Sequence, residues 1–203
     1  MTTIRKARLA DVPLLGTMEQ EFRRDERVTV LKANPKLKAY IQGTPDRNQK
    51  VAGWMRKWIR SKNGLVLLAE SKALPVGFAT ASIETNRGIY GPKQLGFIGF
   101  VFVRHRHRDQ GISSLLMEEM LDWFRKRKIK HVSLSVMEGN QPARAIWKKW
   151  GFQDFSVWAW RPAQRSASSR WLFPRVGDLA RGEAVATFGR RLGPHLRESS
   201  TSS

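Results

Sequence analysis

At 203 residues, 41% of them hydrophobic and 10% aromatic, the chain is long enough to bury one core and too short for two ordinary domains. It has no cysteine, which excludes disulfides, thiolate metal sites and a cysteine nucleophile, argues against a metal cofactor and fits a reducing cytoplasm. Lys and Arg outnumber Asp and Glu by 37 to 17, and this formal +20 predicts attraction to polyanions, whether nucleic acid, ribosome or an anionic cofactor.

The first ten residues are charged at Arg5, Lys6 and Arg8 with no apolar run behind them. No later stretch approaches the roughly 18 apolar residues of a spanning helix, so neither a signal peptide nor a membrane contact is expected. Residues 3–7 read as a short strand. Asp11 can cap a helix carrying Val12, Leu14, Leu15 and Met18, with a charged end over 19–27. The basic stretch 31–60 is interrupted by Pro35, Gly43 and Pro45, and Trp54, Met55, Trp58 and Ile59 stand at helical spacing in a second helix.

After the turn signal Asn63-Gly64, the apolar runs 65–69 and 76–83 predict a hairpin, and 97–103 predicts the most buried strand. From Ile112 the residues Leu115, Leu116, Met120, Leu121 and Phe124 form the stripe of a core-facing helix that ends in the cations of 125–128. Residues 131–136 read as a strand, 141–150 as a helix closed by Gly151, and 155–160 as another strand. Beyond Pro162 the composition shifts to Arg, Ser, Ala and Gly, with one apolar cluster at 171–173. This divides the chain into a domain over 1–161, a last strand and extension over 162–188, and a disordered Arg/Ser-rich tail over 189–203.

The most informative window runs from Val101 to Leu116: a strand, a basic turn with one glycine, and directly a helix. The first N–H groups of a helix have no internal partners, its dipole adds partial positive charge, and glycine lets an anion approach the main chain. A pyrophosphate would sit at residues 109–114. Taken alone the window also fits a tight strand-to-helix turn with no ligand.

Arg108-Asp109-Gln110-Gly111-Ile112-Ser113 resembles the acetyl-CoA motif of the GNAT N-acetyltransferase superfamily, Arg/Gln-x-x-Gly-x-Gly/Ala. The opening from Ile4 to Asp11 is similar to that family's first strand and helix cap. Asn140-x-x-Ala143-x-x-x-Trp147-x-x-x-Gly151-Phe152 is similar to its later motif, which has Tyr where Trp147 stands. The resemblance covers roughly residues 3–161 and implies an α/β fold: a three-layer αβα sandwich with a mixed, mostly antiparallel sheet splayed for acetyl-CoA. It implies an acyl-CoA-dependent transferase that passes acetyl to a primary amine by direct attack, with acetyl-CoA as co-substrate. Pantetheine would run along Val101, Phe102 and Val103, whose main chain would also hold the carbonyl oxygen. The phosphates would meet Arg108, Asp109, Gln110, Gly111, Ile112, Ser113 and Ser114, with Asn140 beside the pantetheine.

The catalytic positions depart from the family pattern. An indole cannot release a proton near neutral pH, so Trp147 either donates a hydrogen bond near the sulfur or simply packs. Asp109 brings negative charge to a phosphate turn, where it could cap the helix or pair with Arg106 or Arg108. Positions 97–103 hold no carboxylate, and Ser135 stands where some relatives carry Glu. That leaves Glu84 and Glu138 as candidate bases, the plainer reading of each being a solvated residue, and His105 and His107 as surface cations or bases.

In this family the acceptor lies among the first two helices and the final hairpin, which here offer Trp54, Trp58, Trp158, Trp160 and Trp171 as core or as an aromatic pocket. The shortage of acids favours a protein or peptide amino terminus or a small amine over a polycation. The rival reading is a basic nucleic-acid or ribosome-binding module, and a non-catalytic CoA-binding relative is a third; a dimer is open.

Overall fold

The computed structural model describes residues 1–86 and 91–156. Five strands form one sheet in the order β1 (Thr2–Lys6), β2 (Gly64–Ser71), β3 (Leu74–Thr85), β4 (Gln94–Val103) and β5 (Val132–Leu134). The first three pairings are antiparallel and the last is parallel. Helices α1 (Val12–Ala33) and α2 (Arg47–Arg60) lie between β1 and β2, α3 (Ile112–Lys126) joins β4 to β5, and α4 (Gln141–Lys149) follows. Short 3-10 turns stand at Leu9–Asp11, Pro35–Ala39 and His105–His107. The expected strand over 155–160 lies from residue 157 outside the described residues, as do Trp158, Trp160, Trp171, the extension and the tail; residues 155 and 156 are not in a strand.

Period-two alternation divides the sheet into two apolar faces. Leu65, Leu67 and Ala69 of β2 pack with Ala79 and Ala81 of β3 against Ile112, Leu116, Met117, Met120, Trp123 and Phe124 of α3. Val66, Leu68 and Phe78 point the other way, to Leu15 and Met18 of α1 and Val51 and Met55 of α2. With both faces covered, the strands read as unbroken apolar runs. The expected α3 stripe is rotated: Leu115 is 39% exposed, whereas Met117 and Trp123 are buried.

Helix α1 runs on to Ala33, past the charged end expected from its sequence. The reason is tertiary. Glu19 is buried, and both its oxygens accept from Arg47 Nη2 of α2, at 2.7 and 2.8 Å, while Arg23 Nε donates to one of them at 3.1 Å. Val30 is buried as well, in contact with the loop at Gly139. A charged, solvated-looking segment is thereby turned into a wall of the fold.

One irregularity in β4 matters for the site. Ile98 faces α3, and so do Val101 and Val103, whereas Phe100 and Phe102 face α1 and α2. The parity inverts at Gly99, because the β3–β4 register shifts there: Thr80 pairs with Phe100 but the next residue, Ala81, pairs with Ile98. This is a β-bulge, which leaves one residue unpaired and bends the strand. Phe100 N–H donates to Thr80 Oγ1 at 3.0 Å.

Candidate functional site

The parallel β4–β5 ladder lasts only three residues: Gly96 pairs with Val132, Phe97 with Ser133 and Ile98 with Leu134. Past the bulge the β5 side of β4 has no strand partner among the described residues, so residues 99–103 form one wall of an open slot. Which amides line it follows from alternation. Gly96 N–H donates to His131 C=O on the β5 side, whereas Arg104 N–H donates to Val76 C=O on the β3 side, as Phe100 N–H does to Thr80. Val101 and Val103 therefore present their N–H groups to the slot, about 7 Å apart. Phe102, grouped with them in the sequence reading, turns its amide to β3.

The slot ends at the turn before α3. Gly111 is the N-cap, at φ +75°, and no atom lies within 4 Å of the position a Cβ would take. Helical bonding starts with Leu115 N–H donating to Gly111 C=O at 3.1 Å. The N–H groups of Ile112, Ser113 and Ser114 thus have no partner among the described residues, at the positive end of a 15-residue helix, with open space at the neighbouring Gly111. A slot edged by alternate amides and closed by a helix N-terminus fits an extended amide chain that carries phosphates at one end. Among the described residues no group of three His, Asp or Glu side chains could hold a metal ion, and no helix is long and apolar enough to cross a membrane.

A scan of protein families matches residues 22–152 to the acetyltransferase (GNAT) family. The chain belongs to this family. Solved structures agree on the GNAT fold. A predicted acetyltransferase from Clostridium acetobutylicum, crystallised with acetyl-CoA, has a TM-score of 0.63 and 20% identity over 80% of this chain and 96% of its own. The aminoglycoside N-acetyltransferase AAC(6')-Iy in complex with CoA gives 0.60 and 14%, over 81% and 96%. AAC(6')-IG from Acinetobacter haemolyticus gives 0.57 and 18%, over 81% and 99%. A search of the curated proteins finds no match.

In this GNAT chain the turn is held from α1. Arg104 makes a two-pronged pair with Glu21, at 2.9 and 2.8 Å, and donates to Pro75 C=O at 2.9 Å. The Glu21 carboxylate pushes the Arg104 pKa further above its ordinary value against the lowering effect of burial, so this cation is permanent. Arg108 donates from Nε to Val103 C=O at 3.0 Å and from Nη2 to Asp25. Asp109 neither caps α3 nor pairs with Arg106 or Arg108: Gly111 is the cap, without a side-chain bond, and Arg108 is taken by Asp25. Asp109 instead adopts a left-handed φ of +61° with an exposed side chain. Gln110 donates to Arg106 C=O at 3.4 Å.

The other candidates are spread. Glu84 lies near the end of β3 opposite Leu95, half-buried, and its Oε1 accepts from Ser82 Oγ at 3.2 Å. By alternation it shares the α1/α2 face with Thr80 and Ser82. Glu138 is 70% exposed and 4.0 Å from Arg144. Asn140 caps α4, its Oδ1 accepting from Ala143 N–H at 3.3 Å. Trp147 is half-buried against the α3 layer, edge-on to Phe152 at 5.6 Å. Trp54 and Trp58 pack against the α1/α2 layer. His105 and His107 lie on the 3-10 turn below Arg108, and Ser135 is exposed.

Sequence reasoning missed Glu21, Asp25, Thr80 and the bulge. Glu21 and Asp25, four apart on one helical face, could have been matched with Arg104 and Arg108, also four apart.

Proposed function

We propose that this chain is an N-acetyltransferase that moves the acetyl group of acetyl-CoA to a primary amine by direct attack in a ternary complex. The observation that carries the reading is the open slot along residues 99–103 ending at the bare amides of α3. When bound there, acetyl-CoA supplies an activated thioester. Val103 N–H binds a carbonyl of its pantetheine arm, the first-turn amides of α3 with Arg108 take the phosphates, and Asn140 offers its Nδ2 from the β5 side. The Val101 amide lies nearest the bulge and is the oxyanion donor.

Attack needs a neutral amine, whose proton must leave as the C–N bond forms and the C–S bond breaks. Glu84 is the base: it stands on the α1/α2 face of the sheet with Ser82 orienting its carboxylate, five ladder positions from Val101, so the amine proton reaches it through a chain of waters. Glu138 is the weaker candidate, being solvated on the far loop. Trp147 packs and gives no proton, so the thiolate takes its proton from water.

The acceptor follows from the charges. Polyamine sites need several free carboxylates, yet among the described residues Glu19 on the α1–α2 face is occupied by Arg47 and Arg23, which leaves Glu84. One amine, on a peptide or a small molecule, fits better than the polycations of the aminoglycoside enzymes. Lack of cysteine fits a cytoplasmic setting.

A second reading, contact with a polyanion, has one observation in its favour. A cavity of about 160 Å³ at the opposite end of the sheet is lined by Lys6, Lys62 and Arg127, and these cations form no ion pair among the described residues. Retention on nucleic acid that falls steeply with salt would support it.

The test is calorimetric titration of acetyl-CoA into the wild type and Gly111→Trp, followed by thiol release with single amines, peptides and aminoglycosides. Micromolar binding lost in the variant, with turnover of a single amine, is expected. No binding by the wild type would refute the transferase reading.

A further inference from the structure

We infer that Thr80 is a positioning residue for the cofactor edge of β4, its hydroxyl locking the Gly99 bulge so that the Val101 and Val103 amides aim into the slot. The inference rests on the acetyl-CoA reading above. A bulge takes a residue out of the ladder and endangers the N–H beside it. Here that N–H belongs to Phe100, a residue 6% exposed among Phe22, Trp58, Phe78 and Phe102. A donor in such surroundings must find a protein partner.

Thr80, 1% exposed, provides it at 3.0 Å. The complementary half of the lock is Gly99. A Cβ there would lie 2.7 Å from Thr80 Oγ1, with Trp58 at 3.8 Å and Phe97 at 4.0 Å, so the hydroxyl occupies the space a side chain would need. The bulge requires both a residue with no side chain and an acceptor across from it.

Losing the acceptor has a directional consequence. The repair that avoids a buried orphan donor is to take Gly99 back into the pairing, a slip of one residue that turns Phe100 N–H from the β3 edge to the slot edge. Such a slip exchanges the two edges and the two faces of residues 100–103. Val101 and Val103 N–H would turn to β3 and leave the slot, and Arg108 would lose its bond to Val103 C=O, while the pairs of Arg104 and Arg108 with α1 would keep the phosphate turn in place.

Two variants separate the hydroxyl from the packing. Thr80→Val keeps the shape and removes the acceptor; Thr80→Ser keeps the acceptor and removes a methyl. Titration with acetyl-CoA and with 3′-phospho-ADP, the part of the cofactor without pantetheine, reads both ends of the slot. Thr80→Val should bind acetyl-CoA about tenfold more weakly with 3′-phospho-ADP changed by less than about twofold, and Thr80→Ser should stay near wild type for both. A valine variant with wild-type affinity, a serine variant that is the worse of the two, or equal losses for both ligands would overturn the inference.

Amide hydrogen exchange on the wild type tests it without relying on either variant. Phe100 should be protected in the free protein, and Val101 and Val103 should exchange until acetyl-CoA is added. Phe100 exchanging as fast as Val101 would overturn the lock. Wild-type protein that binds neither ligand would overturn the acetyl-CoA reading instead, and the exchange of the free protein would still decide the bulge.

Discussion

Replacing Asp25 by Asn should tighten CoA binding. Arg108 donates through Nη2 to Asp25, and the cofactor reading gives the same group to a phosphate, so the carboxylate competes with the ligand. Both partners are close to half exposed, 41% and 49%, and a pair so solvated is worth about 0.2–1 kcal/mol. At about 1.4 kcal/mol per decade, releasing it lowers the CoA Kd by about 1.4- to 5-fold. Calorimetry at two salt concentrations measures this, and the gain should shrink as salt screens the pair. The control is Glu21→Gln, which removes the same charge from the same helix but frees Arg104, an arginine tied to the Pro75 carbonyl on the β3 side. Equal gains in the two variants would reduce the effect to net charge. An unchanged or weaker affinity in Asp25→Asn would refute the competition outright.

Two stability predictions test the scaffold. Gly96→Ala places a Cβ within 2.6 to 2.9 Å of three ring atoms of Phe124, which is 1% exposed and has nowhere to turn. The overpacking should cost about 1–3 kcal/mol, seen as a lower Tm that Phe124→Leu partly restores; an unchanged Tm would contradict the close packing of α3 on β4. Asp11 accepts both prongs of Arg5 at 2.8 and 3.0 Å and the Arg8 N–H at 2.6 Å, and the Arg5 bond first, against burial, holds its pKa below the ordinary value. A folded pKa below the unfolded one, about 3.9, means the contribution is full above that value and lost as pH falls through the folded pKa. Asp11→Asn should therefore cost about 1–2 kcal/mol in urea unfolding at pH 7, with the gap closing in acid; a gap independent of pH would refute the assignment.

What could be read from the sequence was local. The turn before α3 was legible because its parts are consecutive: a strand end, a glycine free to take positive φ, and a helix start at Ile112. The hairpin of β2 and β3 and the Gly151 stop after α4 were legible on the same grounds. The bulge was not, because the run 97–103 is apolar on both faces, and a parity inversion in an all-apolar strand leaves no trace in the pattern. Nor was the pairing that holds α1 from Glu19 onward. Its charges looked solvated, and only the position of Arg47, 28 residues along, shows that Glu19 is buried and paired. Asp109 was misjudged for a similar reason: the carboxylate that reaches Arg108 comes from a helix 83 residues earlier.

Helix α1 limits how the substrate range of such a scaffold can drift. One side of it packs Leu15 and Met18 into the layer shared with α2, where an acceptor pocket would be reshaped, and another side sets Glu21 and Asp25 on Arg104 and Arg108 of the turn before α3. A rotation or shift of the helix that admits a bulkier amine also drags two carboxylates across Arg104 and Arg108. On the cofactor reading, selection for a new acceptor therefore acts on cofactor affinity at the same time, and compensating changes should accumulate at positions 21 and 25, which face the turn before α3.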